Sequence, residues 1–269
     1  MSIGQPLVRL HERPGLAQFD LPPELRRLYG GDIGFAEECL FANFVSTIDG
    51  IVAIPSLERS NALIADGSEA DRFVMGLLRA CADVVLVGVG TLLASPAGRW
   101  KAGTVFPSVA SSFEDLRLRL GCKGDAPVAI VTGRGSVPPE HPVLEDGAIV
   151  LTTRLGERAL RGRLPGAAEI EVVDGDDTVD VAEAVAALRS RGYGRILSEA
   201  GPRLFSSLVA SDLVDELFLT ISPLVAGRPI GGERLGLVEG RGVFPEQRVG
   251  RELLSARLHH EHLFLRYSL

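Results

Sequence analysis

Cysteine is scarce in this chain, and its spacing argues against both a zinc site and a disulfide framework. The 269 residues include 3 Cys, and none stands in the Cys-x-x-Cys or Cys/His pattern of a zinc site or a disulfide framework. We interpret Cys39, Cys81 and Cys122 as reduced thiols of the core. The sequence also lacks a GxSxG motif and the HxE and PCxxC pair, which argues against a hydrolase and against a zinc deaminase.

An excess of basic residues and long apolar runs are also missing. The formal net charge is −7 and the arginines are scattered along the chain, so nucleic acid is not an expected partner. No stretch approaches the roughly 20 apolar residues that span a bilayer, and the first residues contain no signal-peptide core. The sequence therefore predicts a cytoplasmic protein without a membrane segment.

The apolar content is sufficient for one large core. Hydrophobic residues make up 46% of the chain, which suits a single α/β domain. Residues 1–36 are rich in Pro, Gly and charge and are interpreted as an N-terminal arm with one short helix at 23–28, ahead of a domain at 37–269. Short apolar strands alternate with helices, which predicts a mainly parallel sheet. Two alternating pieces, 250–260 and 261–269, predict an antiparallel edge hairpin.

The strongest local signal lies at residues 196–204, where a buried strand ends in a small-residue turn and opens a helix. Such a turn presents unpaired backbone N–H groups at the positive end of a helix dipole, which suits a pyrophosphate. An ordinary strand-to-helix turn that needs glycine for its backbone angles explains the pattern equally well. The candidate cofactor-binding residues are Gly201, Pro202, Arg203, Leu204 and Phe205.

Two further strand ends carry candidate cofactor contacts. In the first, Gly88 and Gly90 let a ligand approach the main chain, and Thr91 offers a hydroxyl. The third glycine and the downstream acid of a Rossmann fingerprint are missing, so we reject that assignment, and a purely structural turn is the alternative. In the second, Arg134 can bind a ribose 2′-phosphate and select NADPH over NADH. A solvated surface arginine is the alternative there.

Polar residues on and after strands are the candidates for substrate binding and proton transfer. Glu199 ends an apolar strand and so must face a cleft, a partner or water. Asn43 and Asp49 line the first core strand and its turn, although Asp-Gly is also a common hairpin turn pair. His260 and His262 share one face of a strand, but no acid or Cys stands at ligand spacing on that face, so we expect no metal.

Three stretches together resemble the reductase domain of bifunctional riboflavin-biosynthesis proteins, which is related to dihydrofolate reductase. They are NFVSTIDGIVA at 43–53, LLRACADVVLVGVGTLLASP at 77–96, and the segment from ILSEAGP to SPLVAG at 196–227. The resemblance covers residues 38–267. It implies a three-layer α/β fold like that of dihydrofolate reductase, with a central mixed sheet flanked by helices. It also implies a homodimer that binds NADPH across the carboxyl ends of the strands.

The resemblance further implies roles for single positions. The backbone from Gly201 to Ser207 would hold the cofactor phosphates, Thr91 would line the nicotinamide side, and Ala53 would pack beside the cofactor. Arg134 would lie near the adenosine phosphate. Asp49 and Glu199 are the catalytic candidates, because either can orient the substrate or relay a proton through water. The candidate substrate-binding residues are Asn43, Ser60, Arg79, Ser95 and Trp100.

One segment departs from the family pattern. The family commonly follows the Gly-Thr segment with an acidic pair, a proline and a downstream arginine, whereas residues 93–100 here lack the acids and place Trp100 near the arginine position. Residues 58–66 also lengthen a loop over the site.

Three functions remain open at this point. They are an NADPH-dependent reductase of a ribosylaminopyrimidine such as 5-amino-6-(5-phosphoribosylamino)uracil, a dihydrofolate or pterin reductase, and an NADPH-binding protein without turnover.

Overall fold

The structure is a computed structural model that describes residues 4–247, 249–250 and 252–269. The predicted arm and the first predicted strand of the hairpin therefore each include positions, 1–3 and 251, outside the described residues. The strands are β1 Val8–Glu12, β2 Cys39–Ser46, β3 Val84–Gly88, β4 Val128–Thr132, β5 Ile149–Thr152, β6 Glu169–Val172, β7 Arg195–Ser198, β8 Glu216–Ile221, β9 Glu252–His259 and β10 His262–Ser268. The helices are α1 Pro23–Tyr29, α2 Ser60–Ile64, α3 Glu69–Cys81, α4 Val89–Leu93, α5 Ala102–Val105, α6 Ala110–Arg119, α7 Arg154–Leu160, α8 Val181–Ser190 and α9 Pro202–Ala210.

All ten strands form one sheet with the order β1-β9-β10-β8-β2-β7-β3-β4-β5-β6. The strands from β8 to β6 in that order run parallel, and β10 pairs antiparallel with both β8 and β9. The predicted mixed, mostly parallel sheet and the C-terminal antiparallel hairpin are confirmed. The hairpin is not at the edge of the sheet, however, because β1 pairs antiparallel with the outer side of β9.

Helices cover both faces of the sheet. Side chains of α3 such as Phe73 and Leu77 join one core cluster, while Phe205 and Leu208 of α9 join another on the opposite face. The helix predicted at 67–81 is confirmed as α3, and Ser68 caps it by accepting a hydrogen bond from the backbone N–H of its third residue. The helices predicted at 178–191 and 202–211 are confirmed as α8 and α9.

The N-terminal segment is integrated into this architecture. The predicted short helix is confirmed as α1, and its residues Leu25 and Leu28 are fully buried. The sequence did not predict β1, which adds an outer strand. The buried guanidinium of Arg257 on β9 pairs with Glu12 of β1 and stacks on the ring of Tyr29. The segment is thus fastened to the sheet, and a domain boundary at residue 36 stays a prediction.

The segments after two core strands differ in detail from the prediction. The apolar run of β3 ends at Gly88, and the following residues form the short helix α4 instead of extending the strand. The extended piece expected after β2 is reduced to an isolated bridge between Ala53 and Leu235. Among the described residues, no helix is both long and apolar enough to cross a bilayer.

Candidate active site

The candidate residues gather where four neighbouring parallel strands end. β2, β7, β3 and β4 are adjacent, and their registers bring their carboxyl ends to one edge of the sheet. In open α/β sheets this edge is where ligands bind. Glu199 and Gly201 follow β7, Thr91 follows β3 and Arg134 follows β4. The structure therefore brings together three segments that are far apart in the sequence.

The N-terminus of α9 forms a cradle with the segment after β3. Gly201 is the N-cap residue, and no side chain caps the helix there, so its first backbone N–H groups remain available to a ligand. A Cβ atom at Gly201 would lie 3.4 Å from Oγ1 of Thr91, and one at Gly88 would lie 3.4 Å from Leu204. Nothing lies within 4 Å of the Cβ position of Gly90. The glycines keep this region open, and its backbone donors and positive dipole fit a pyrophosphate group.

Arg79 and Glu199 form a bidentate ion pair between α3 and the end of β7. Nε and Nη2 of Arg79 each donate a hydrogen bond of 2.7 Å to a different carboxylate oxygen of Glu199. Each side chain is only 10% exposed. The sequence suggested separate substrate contacts for both residues, and the structure shows that they also position each other. Among the described residues, Nη1 of Arg79 has no hydrogen-bond partner, so its two N–H groups are available to a ligand.

The carboxylate of Asp49 joins two loops. Its carboxylate accepts hydrogen bonds from the hydroxyl of Thr47 at 2.6 Å and from the backbone N–H groups of Ala226 and Gly227 at 3.0 and 2.7 Å. These bonds, that from Thr47 first, lower the pKa of Asp49 to about 2. An acid this strong holds no proton near neutral pH. The residue ties the turn after β2 to the loop after β8, and the proton relay expected of it stays a prediction.

Asp71 is a buried carboxyl group that the sequence analysis missed. It lies in the first turn of α3 and is 4% exposed. Burial raises its pKa from 3.8 to about 6, and the nearby charge of Glu199 adds to the increase. A hydrogen bond from Thr220 and the charges of His262 and Arg72 act in the opposite direction. A signal was available, because Asp71 interrupts an otherwise apolar helical stripe.

Arg134 is exposed at the end of β4. Its side chain is 68% exposed and donates a 2.7 Å hydrogen bond to Asp177. The guanidinium is thus at the predicted edge, two strands from β7, and a contact with a ribose phosphate stays a prediction. Ala53 is half-buried and packs against the cluster that contains α9, while its backbone pairs with Leu235.

The other substrate candidates mainly organise loops. The hydroxyl of Ser60 accepts a hydrogen bond from the backbone N–H of Ile54 at 3.1 Å. The ring of Trp100 is 6% exposed and packs in the core beside His141. His141 in turn bonds the backbone oxygen of Ser95 at 3.0 Å. The side chain of Trp100 therefore packs in the core, and a contact between its ring and the substrate stays a prediction.

Asn43 lies on the sheet between the acids Asp71 and Glu199. Strand alternation places its side chain on the same face as Phe41, which is the face that α3 covers. It is half-buried, and among the described residues its side-chain amide has no hydrogen-bond partner. The amide therefore remains a candidate for substrate binding.

Comparison with known proteins gives consistent matches. The family model described as the RibD C-terminal domain matches residues 38–243. The 2,5-diamino-6-ribosylamino-4(3H)-pyrimidinone 5′-phosphate reductase of Archaeoglobus fulgidus is 26% identical over 193 residues, which cover 70% of this chain and 81% of the relative. The reductase of the same name from Methanothermobacter thermautotrophicus is 28% identical over 208 residues, covering 75% and 83%.

A solved structure supports the fold. The deaminase/5-amino-6-(5-phosphoribosylamino)uracil reductase of Thermotoga maritima superposes with a TM-score of 0.63 at 19% identity. The match covers 86% of this chain and 56% of that chain. At this identity the likeness is evidence for a shared fold.

Proposed function

This chain belongs to the RibD C-terminal domain family, and from that membership we propose that it is an NADPH-dependent reductase of a ribosylaminopyrimidine phosphate in riboflavin biosynthesis. The reaction would convert the open, imine form of the ribosylamino sugar into a ribitylamino group. The substrate would be either the diaminopyrimidinone named for the archaeal relatives or the corresponding 5-amino uracil.

One juxtaposition carries the proposal. The uncapped N-terminus of α9, faced by Thr91, lies beside the Arg79–Glu199 pair at the same edge of the sheet. A dinucleotide phosphate and a polar substrate could thus bind as neighbours. Arg134 follows a strand two positions from β7, which corresponds to roughly 10 Å at the usual strand spacing. We therefore assign it to the 2′-phosphate that distinguishes NADPH from NADH.

The protein's contribution would be position and electrostatic field. The bound cofactor would supply hydride. Glu199 fixes the guanidinium plane of Arg79, so that the free Nη1 donors can orient an oxygen of the ribosyl phosphate. Asn43 would donate to or accept from the pyrimidine ring. The loop held by Asp49 would keep water from the imine, which hydrolyses readily in solution.

The direct test is an assay of reduced-nicotinamide oxidation with each ribosylaminopyrimidine phosphate and, for comparison, dihydrofolate. We expect oxidation that depends on a pyrimidine substrate and that Glu199→Gln strongly reduces. Asp115→Asn, which removes an exposed acid paired with Arg119 on α6, is the control and should retain full activity. Tight NADPH binding without reduction of any pyrimidine would refute the enzymatic proposal. NADPH oxidation with dihydrofolate alone would replace the proposed substrate.

Two further expectations accompany this proposal. We propose that the protein is a homodimer and that it acts in the cytoplasm. Analytical ultracentrifugation of the purified protein should give twice the chain mass of 28.7 kDa, and cell fractionation should recover the protein with cytosolic enzymes. A single species with the mass of one chain would contradict the proposed homodimer.

A further inference from the structure

The arginine at the end of β4 already holds an anion of the protein. Nη2 of Arg134 donates a hydrogen bond of 2.7 Å to Oδ2 of Asp177. Among the described residues, the other N–H groups of this guanidinium have no hydrogen-bond partner. The carboxylate of Asp177 thus contacts the same group that a ribose 2′-phosphate would need under the proposed function.

The backbone around Asp177 is packed against the end of β4. A Cβ atom at Gly133 would collide with the backbone oxygen of Asp177 and would lie 3.0 Å from Cα of Thr178. The missing side chain of Gly133 therefore permits the close approach of the two segments. The backbone oxygen of Gly133 also accepts a hydrogen bond of 2.7 Å from the hydroxyl of Thr153. Because Arg134 directly follows Gly133, this packing holds the acid beside the arginine.

The loop between β6 and α8 carries four acids, and the structure gives them different contacts. The backbone N–H of Asp180 donates a hydrogen bond of 2.9 Å to the backbone oxygen of Asp174, which closes the loop. The side chain of Asp180 caps α8 by accepting from two of its backbone N–H groups. Asp176 is exposed. Of these acids, Asp177 makes the contact with Arg134.

The two nicotinamide coenzymes would meet this ion pair differently. A 2′-phosphate of NADPH carries about 1.5 to 2 negative charges at neutral pH. It would have to displace the carboxylate of Asp177 from Arg134 and would then lie close to that carboxylate. The ribose of NADH has a 2′-hydroxyl there, which can donate a hydrogen bond to an acid, as it does in many NAD sites. The carboxylate therefore opposes the phosphate and accommodates the hydroxyl.

We propose that Asp177 determines coenzyme specificity, because it competes with the 2′-phosphate for Arg134 and so lowers the preference for NADPH over NADH. This inference rests on the proposed function, in which Arg134 binds that phosphate. The side chains of Arg134 and Asp177 are 68% and 59% exposed. Exposed ion pairs contribute little, so the expected effect of Asp177 on the relative affinity is about three- to fivefold.

The experiment measures the Kd of NADPH and that of NADH by fluorescence titration. Asp177→Asn should lower the Kd for NADPH relative to the Kd for NADH by about three- to fivefold. Asp176→Asn is the matched control, because it removes the same charge from the neighbouring position and leaves the pair intact. It should change this ratio by less than about twofold. An equal effect of both variants would mean that the loop acts through its total charge, and would overturn the assignment of Asp177.

A double variant tests whether Asp177 acts through the arginine. In an Arg134→Ala background the contact is already lost, so Asp177→Asn should leave the ratio of the two Kd values unchanged. A change in the ratio as large as that in the wild-type background would overturn the proposed competition. Loss of a purely structural contact would alter both Kd values alike and would leave their ratio unchanged.

The outcomes can be told apart from failure of the proposed function. If the wild-type protein reduces a pyrimidine but Asp177→Asn leaves the Kd ratio unchanged, the role of Asp177 is overturned while the function stands. If the wild-type protein binds neither coenzyme, the proposed function fails and this inference fails with it.

Discussion

The burial of Asp71 predicts that Asp71→Asn stabilises the protein at neutral pH. The native pKa is about 6, against 3.8 for the unaffected group, so the folded state binds this proton more tightly than the unfolded state does. The resulting stability is fully present below about pH 4 and is lost as pH rises to about 6. A difference of about two pKa units corresponds to roughly 3 kcal/mol. Asparagine fills a similar volume without ionising, and so avoids this loss.

The measurement is urea denaturation at pH 4 and at pH 7.5. The free energy of unfolding of Asp71→Asn should exceed that of the wild-type protein by about 1 to 3 kcal/mol at pH 7.5, with little difference at pH 4. Glu69→Gln changes an acid in the same turn whose side chain is 36% exposed, and should show no comparable dependence on pH. An Asp71→Asn protein that is equally destabilised at both pH values would refute the reasoning, since it would mean that the native carboxyl group is already charged and well solvated.

Three further perturbations test the site. Glu199→Gln leaves the buried guanidinium of Arg79 without its countercharge and should lower the free energy of unfolding by about 3 kcal/mol. Adding Arg79→Met should restore most of this lost free energy. Strictly additive free-energy changes in the double variant would contradict the pairing. Arg134→Ala should reduce the preference for NADPH over NADH in kcat/KM about tenfold, and an unchanged ratio would remove Arg134 from the cofactor site. Gly201→Ala should raise the Kd for NADPH about fivefold. It should change the free energy of unfolding by less than about 1 kcal/mol, because Gly201 has an ordinary φ of −68°. An unaltered Kd, measured by fluorescence titration, would argue against the cradle.

Much of the fold could be predicted because its signals are local. Buried parallel strands such as β3 are continuous apolar runs, and α3 begins at a serine that caps it. The strand β1 gave no such signal. Its residues are mostly exposed and include Arg9 and Glu12, and it exists because it pairs with β9 about 245 residues later. Pairing over such a separation depends on the assembled sheet.

The site was predicted less completely for a related reason. Local motifs identified the segments around Gly201 and Thr91, but no motif indicates that Arg79 and Glu199, 120 residues apart, share a bidentate pair. The contacts of Asp49 could not be predicted, because the sequence does not show which backbone N–H groups will meet its carboxylate. Asp71 was missed because an acid among apolar helix residues resembles a solvated first-turn residue. Its significance depends on the strands that pack over it.

The position of β7 explains how two ligands can meet at this edge. Its side chains alternate between the two faces, so that Ile196 packs on the side of α9 and Leu197 on the side of α3. Glu199 continues the second series and meets Arg79, whereas the chain then turns at Gly201 into α9. Under the proposed function, one strand end would thus supply an acid to the substrate on one side and backbone amides to the cofactor phosphates on the other. Because β7 lies between β2 and β3, a shift of its end would displace both proposed ligands together and would keep the hydride donor and acceptor in a fixed relation.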